Sequence, residues 1–166
     1  MTAVEELAAR IDAAERALEH YARTPPPPSA LTRADPQSGE RWDAGQAWAH
    51  LAEFVPYWRG EAERVVDAGG TEPVPFGRVQ SDPGRVAGIE EGRRELPTAQ
   101  MDRLSIELGA LRGWLAQRTP AELERVGMHP TRGEMTVHDI IERFVVGHLE
   151  EHVVQLAELE TPEARR

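Results

Sequence analysis

The sequence predicts an all-α fold, a four-helix bundle in up-down-down-up order with a long connector between its second and third helices, on three observations. Four segments carry apolar residues at three- and four-residue spacing, each is bounded by capping residues, proline or glycine, and no segment reads as a strand. With 166 residues and 40% hydrophobic content, residues 1–166 are expected to form one domain large enough to bury a real core.

Val4, Leu7, Ile11, Leu18 and Tyr21 predict an amphipathic first helix from Val4 to Tyr21. Pro25 to Pro28 cannot continue it, and with Ser29, Thr32 and Asp35 they make an extended connector to about Arg41. Asp43 can cap the free N–H groups of a second helix that runs to about Ala68, before Gly69 and Gly70, and buries Ala47, Leu51, Phe54, Trp58, Ala62 and Val65. Pro56 removes one donor and crowds the carbonyl of Ala52, which predicts a kink.

The stretch from Gly69 to Pro97 is rich in Gly, Pro and charge. Asp82-Pro83 starts a short helix there, with Gly84, Gly88 and Gly92 on one face where another backbone can approach. An irregular surface loop with one short helix and a substrate lid both fit this composition. The third main helix follows Thr98, with Met101, Leu104, Leu108, Leu111 and Leu115 in the seam pattern of a bundle. Thr119-Pro120-Ala121-Glu122 has the form of a capping box and opens a short helix that Gly127 stops. Thr136 and Asp139 cap the last helix, which runs to about Leu159 before Pro162.

That last helix carries His148 and His152. Four residues at 3.6 per turn leave their imidazoles about 40° apart around the axis and roughly 6 Å along it, so one ion could reach both. Ile141, Phe144, Val145, Leu156 and Leu159 place this stripe against a core, and His50, one residue from Leu51 and four from Phe54, is the natural third ligand. Three neutral imidazoles suit a borderline divalent ion, Zn, Ni or Fe(II), and leave coordination positions open for water or substrate. Di-iron bundles need Glu-x-x-His, yet Ala47, Val145 and Leu149 stand three residues before the histidines, and the His-Glu-x-x-His of zincins is also missing.

The net charge of −10 disfavours nucleic acid. A small-molecule or protein partner fits better. All 19 basic residues are arginine, a bias expected of a GC-rich genome. Without cysteine, any metal must be held by His, Asp, Glu or backbone groups. Met1 to Arg10 carry no apolar run and no stretch approaches a membrane span, so the expected setting is the cytoplasm.

Trp48-Ala49-His50-Leu51-Ala52, Gly133, Met135-Thr136-Val137 and His148-Leu-Glu-Glu-His152-Val-Val-Gln155-Leu156 together resemble the DinB-like superfamily, which includes mycothiol-dependent maleylpyruvate isomerases and bacillithiol-type thiol transferases. The resemblance implies one divalent metal on His50, His148 and His152. It also implies a metal-bound water or thiol as the reactive species, a low-molecular-weight thiol such as mycothiol as cosubstrate, transferase or isomerase chemistry on a small molecule, and a homodimer. The competing reading is a non-enzymatic interaction or stress-response bundle with structural histidines, which a sealed core and an exposed apolar patch would favour.

The remaining titratable and aromatic residues have plainer expectations. His20, His129 and His138 read as surface or loop groups, and Glu150 and Glu151 as solvated, with support of an imidazole as the second reading of the two glutamates. Trp42, Trp48, Trp58 and Trp114 read as packing residues, one of which could wall a pocket above the metal. Arg78, Arg85, Arg93 and Arg94 read as a solvated charge run or as holders of an anionic substrate.

Overall fold

Thr2 opens the first helix, α1 (Ala3–Arg23), through a capping box in which the Thr2 hydroxyl accepts from the Glu5 N–H and the Glu5 carboxylate accepts from the Thr2 N–H. The computed structural model describes residues 1–160, so the stop expected at Pro162 lies outside the described residues. Asp43 and Gln46 cap α2 (Ala44–Asp67) in the same reciprocal way, and all six residues of its expected stripe are buried. The helix continues through Pro56. The seam helix, α4 (Pro97–Leu115), starts two residues earlier than a helix following Thr98 would. Leu96 is its N-cap without a side-chain hydrogen bond, and Pro97, pre-set for helical φ, occupies the first position instead. Leu104, Leu108 and Leu111 are fully excluded from solvent, each contributing roughly 1.5–3 kcal/mol by burial.

The connector between α2 and α4 is more ordered than a surface loop. Its helix α3 (Pro83–Gly92), capped by Asp82, lies along α2. Close approach demands glycine on both sides: a Cβ on Gly45 would fall 2.1 Å from the Arg93 carbonyl oxygen, and one on Gly92 would fall 2.9 Å from the Ala49 Cβ.

After α5 (Pro120–Leu123), capped by Thr119 and Glu122, the chain departs from the all-helical expectation. Val126–His129 (β2) and Gly133–Thr136 (β3) form an antiparallel hairpin, and Val74–Pro75 (β1) adds to it in parallel, giving the order β1-β2-β3. The short helix therefore stops at Leu123, and Gly127 sits within a strand instead of ending the helix. The turn is built from Pro130, Thr131 and Arg132 with Gly133 at φ 75°, a left-handed conformation that glycine adopts at little cost.

The last helical run has three parts: α6 (Val137–Ile141), a π-helical turn over Glu142–Val146 closed by the Gly147 N–H on the Glu142 carbonyl, and α7 (Gly147–Glu160). Thr136 and Asp139 cap its start. α1 packs on α4 and α7, and α2 packs on α4, α6 and α7. α2 and α4 both end toward the small sheet while the last run leaves from it, an arrangement consistent with up-down-down-up order. Among the described residues no helix is long and apolar enough to cross a membrane.

Candidate metal centre

His50 on α2 and His148 and His152 on α7 meet where those helices pack. Their ring centroids are 5.2 Å apart for His50 and His148, 5.4 Å for His50 and His152, and 4.6 Å for His148 and His152. Nε2 of His50 stands 3.0 Å from Nε2 of His148, and one ligand nitrogen from each of the three lies within 4.8 Å of the others. The Phe54 ring lies beneath, with centroids 5.2, 4.7 and 5.9 Å from His50, His148 and His152. Trp42 meets His50 edge-on at 5.3 Å and stacks on His152 at 6.5 Å. Trp42 is placed by reciprocal hydrogen bonds of the proline-rich connector: its N–H donates to the Thr32 hydroxyl at 2.9 Å, and its carbonyl accepts from the Thr32 N–H at 2.8 Å.

Each histidine has an oxygen three residues further along its own helix, on the neighbouring face. Nδ1 of His148 is 2.8 Å from Glu151 Oε2, Nδ1 of His152 is 2.7 Å from Gln155 Oε1, and Nδ1 of His50 faces Glu53 Oε2 at 3.4 Å. A carboxylate can only accept, so Glu151 assigns the proton of His148 to Nδ1 and turns its Nε2 lone pair inward, while Nδ1 of His50 faces Glu53 without a hydrogen bond. The hydrogen bond from His148 holds the Glu151 carboxyl below its usual range. Burial pushes Glu53 upward, and the Arg78 guanidinium paired with it pulls it back down. Burial, reinforced by the neighbouring histidines, pushes His50 and His152 well below the usual imidazole range, so both are neutral and able to donate a lone pair.

The donor set fits a divalent ion. Nε2 of His152 is buried without a hydrogen-bond partner among the described residues, a costly state for a polar atom that a metal ligand would relieve. Removing an outer oxygen should therefore weaken metal binding. Gln155→Leu and Glu151→Ala are expected to lose about 10- to 100-fold in affinity, read by competition against a chromophoric chelator; affinities within twofold of the parent would refute this role.

The three histidines form part of the wall of a cavity of about 880 Å³ that also reaches Trp58, Phe144 and Arg85. Phe144 stacks on Trp58 at 4.1 Å, so the pocket wall expected of one tryptophan comes from Trp42 and Trp58, whereas Trp48 is fully buried and Trp114 is packed against the core. Glu151 supports an imidazole, while Glu150 ties α7 to α1 through Arg10. Arg78 and Arg85 are not a solvated run: the first pairs with Glu53 and the second is half-buried in the cavity wall. Arg93 stays near the surface on Asp43 and Glu90.

His20 is exposed and His138 half-exposed, as expected. His129 is not: it is 4% exposed, in β2, stacked on Phe144 at 5.1 Å. Its burial follows from the hairpin, which alternates Gly127 and His129 inward with Met128 outward.

No family model matches this sequence, and no curated protein matches it. Solved structures do. YfiT from Bacillus subtilis, described as a probable metal-dependent hydrolase with an unusual four-helix bundle topology, superposes with a TM-score of 0.72 at 17% identity, covering 94% of this chain and 85% of its own. A mycothiol-dependent maleylpyruvate isomerase gives 0.62 at 15% identity over 99% of this chain and 68% of its own, and a histidine-to-alanine mutant of that isomerase gives 0.61. At these identities the likeness establishes the fold.

Proposed function

We propose that this chain, which has the four-helix-bundle fold of the DinB-like superfamily, is a divalent-metal enzyme that joins a low-molecular-weight thiol to a small molecule, as an S-transferase or as an isomerase of the mycothiol type. The observation that carries the reading is the convergence of three imidazoles, two of them with a partnerless buried nitrogen, on the wall of a substrate-sized cavity. His50, His148 and His152 hold Zn, Ni or Fe(II), and a metal there supplies Lewis acidity that lowers the pKa of a thiol or water and polarises a carbonyl.

The chain's other residues orient and exclude. Glu151 and Gln155 orient the His148 and His152 rings, Glu53 faces Nδ1 of His50, and Phe54 and Trp42 keep water from their flanks. Since the chain has no cysteine, the thiol arrives as a cosubstrate. The cytoplasmic setting and the homodimer implied by the resemblance belong to the same proposal. A non-enzymatic bundle would need a sealed core around the histidines, and the cavity beside them argues against it.

The test is metal content by elemental mass spectrometry on protein purified without an affinity tag, followed by incubation with mycothiol and maleylpyruvate or a simple alkylating electrophile. Near-stoichiometric metal and thiol-dependent turnover lost on chelation are expected. Protein that stays empty after incubation with Zn, Ni and Fe(II) would overturn the enzyme reading. Turnover of an ester without thiol would replace transfer by hydrolysis.

A further inference from the structure

Arg85, in the first turn of α3, is a half-buried cation, and three of the acids near it, Glu53, Asp35 and Asp82, make bonds elsewhere. Glu53 is paired with Arg78. Asp35 accepts from the backbone N–H groups of Gln37 at 2.8 Å and Ser38 at 2.7 Å, and Asp82 accepts from the Arg85 backbone N–H as the cap of α3. Glu53, Glu40 and Asp35 act on the guanidinium through charge at longer range, without forming an ion pair with it. Among the described residues Arg85 forms no ion pair; Nη1 donates to the Gln80 carbonyl at 2.8 Å, and the group lies over the Trp42 ring with its Cζ 5.5 Å from the centroid.

The Nε and Nη2 edge of the fork is thereby left for two parallel hydrogen bonds, the geometry that a carboxylate matches. The ring beneath it is the one that meets His50 and His152, so the guanidinium and the histidines share one wall of one cavity. A cation stacked on an aromatic face and partly withdrawn from water is a stronger anion site than one in solvent.

We propose that Arg85, backed by Trp42, is a carboxylate-binding position, and that the ligand of this cavity is a small carboxylate whose other end reaches the three histidines. The proposal rests on the metal-enzyme reading above for what happens at that other end. Arg85 acts on binding and orientation: it fixes one end of the ligand so that the other is held near the histidines.

The test uses the zinc-loaded full chain and isothermal calorimetry with two thiols, 3-mercaptopropionate and 1-propanethiol, which have the same number of heavy atoms between sulfur and chain end except for the carboxylate. The parent is expected to prefer 3-mercaptopropionate by at least about tenfold, the equivalent of one good charged contact. Arg85→Met should bring the ratio near one, and Arg85→Lys, which keeps the charge but loses the fork, should fall between. A ratio unchanged in Arg85→Met, or no preference in the parent, would overturn the proposal. Zinc stoichiometry and propanethiol binding by the parent are read on the same samples and report on the metal reading alone. Propionate titrated into zinc-free protein reads Arg85 alone: weak binding lost in Arg85→Met is expected, and binding that the variant keeps would overturn the site.

Discussion

Adding Zn, Ni or Fe(II) to metal-free protein is expected to raise its Tm by about 10 °C, and to leave His50→Ala, His148→Ala and His152→Ala nearly unmoved. An ion that binds only the folded state stabilises it by about 4 kcal/mol at a thousandfold excess over Kd, and in a chain of this size each kcal/mol moves Tm by about 2–4 °C. The unfolded chain has no comparable site, because His50 is brought to the other two only by the packing of α2 on α7. Differential scanning calorimetry on dialysed protein, with and without each ion, gives the shift. The reading would be sunk by a parent indifferent to all three metals, and equally by three alanine variants that shift as much as the parent.

Phe54→Ala is expected to cost about 3–5 kcal/mol, the usual penalty for truncating a fully buried phenylalanine, and to lower Tm by about 10 °C. Phe54 has no exposure and lies under all three imidazoles, so the variant should lose its metal response together with its stability. A purely structural phenylalanine would lower Tm and leave metal affinity intact. Urea denaturation gives the first quantity and chelator competition the second; a loss below about 1 kcal/mol would show that neighbouring side chains refill the space, contrary to the dense packing of this region.

The bundle was legible because its signals are local. Asp43, Thr119 and Thr136 cap where their side chains suggest, and the stripes on α2 and α4 are buried as spaced. The hairpin was not, because four-residue strands give too short an alternation to stand out. The signal lay in Pro130-Thr131-Arg132-Gly133, whose turn chemistry joins two short segments. The three histidines converge as their spacing and the resemblance suggest.

The oxygens that orient them were within reach of the same argument. Residues three before each histidine carry no carboxylate, but those three after, Glu53, Glu151 and Gln155, bring an oxygen to Nδ1 every time, within hydrogen-bond reach for His148 and His152. Arg85 and His129 were beyond it, since their burial depends on α3 lying on α2 and on the hairpin closing over the aromatic wall, contacts that no helical periodicity encodes.

The π-helical turn over Glu142–Val146 sets the phase of everything that follows it. One residue more in a turn than the α-helical repeat allows rotates the downstream face by about 100° relative to the upstream one. Val137, Ile140 and Ile141 are buried before the turn and Leu149, Leu156 and Leu159 after it, and His148 and His152 meet His50 in the register that the turn sets. A chain one residue shorter through this turn would keep its caps and rotate the histidine pair together with Leu149, Leu156 and Leu159 by about 100°. The wide turn acts as a vernier, setting in one step where the rest of the rod places both its leucines and its imidazole pair.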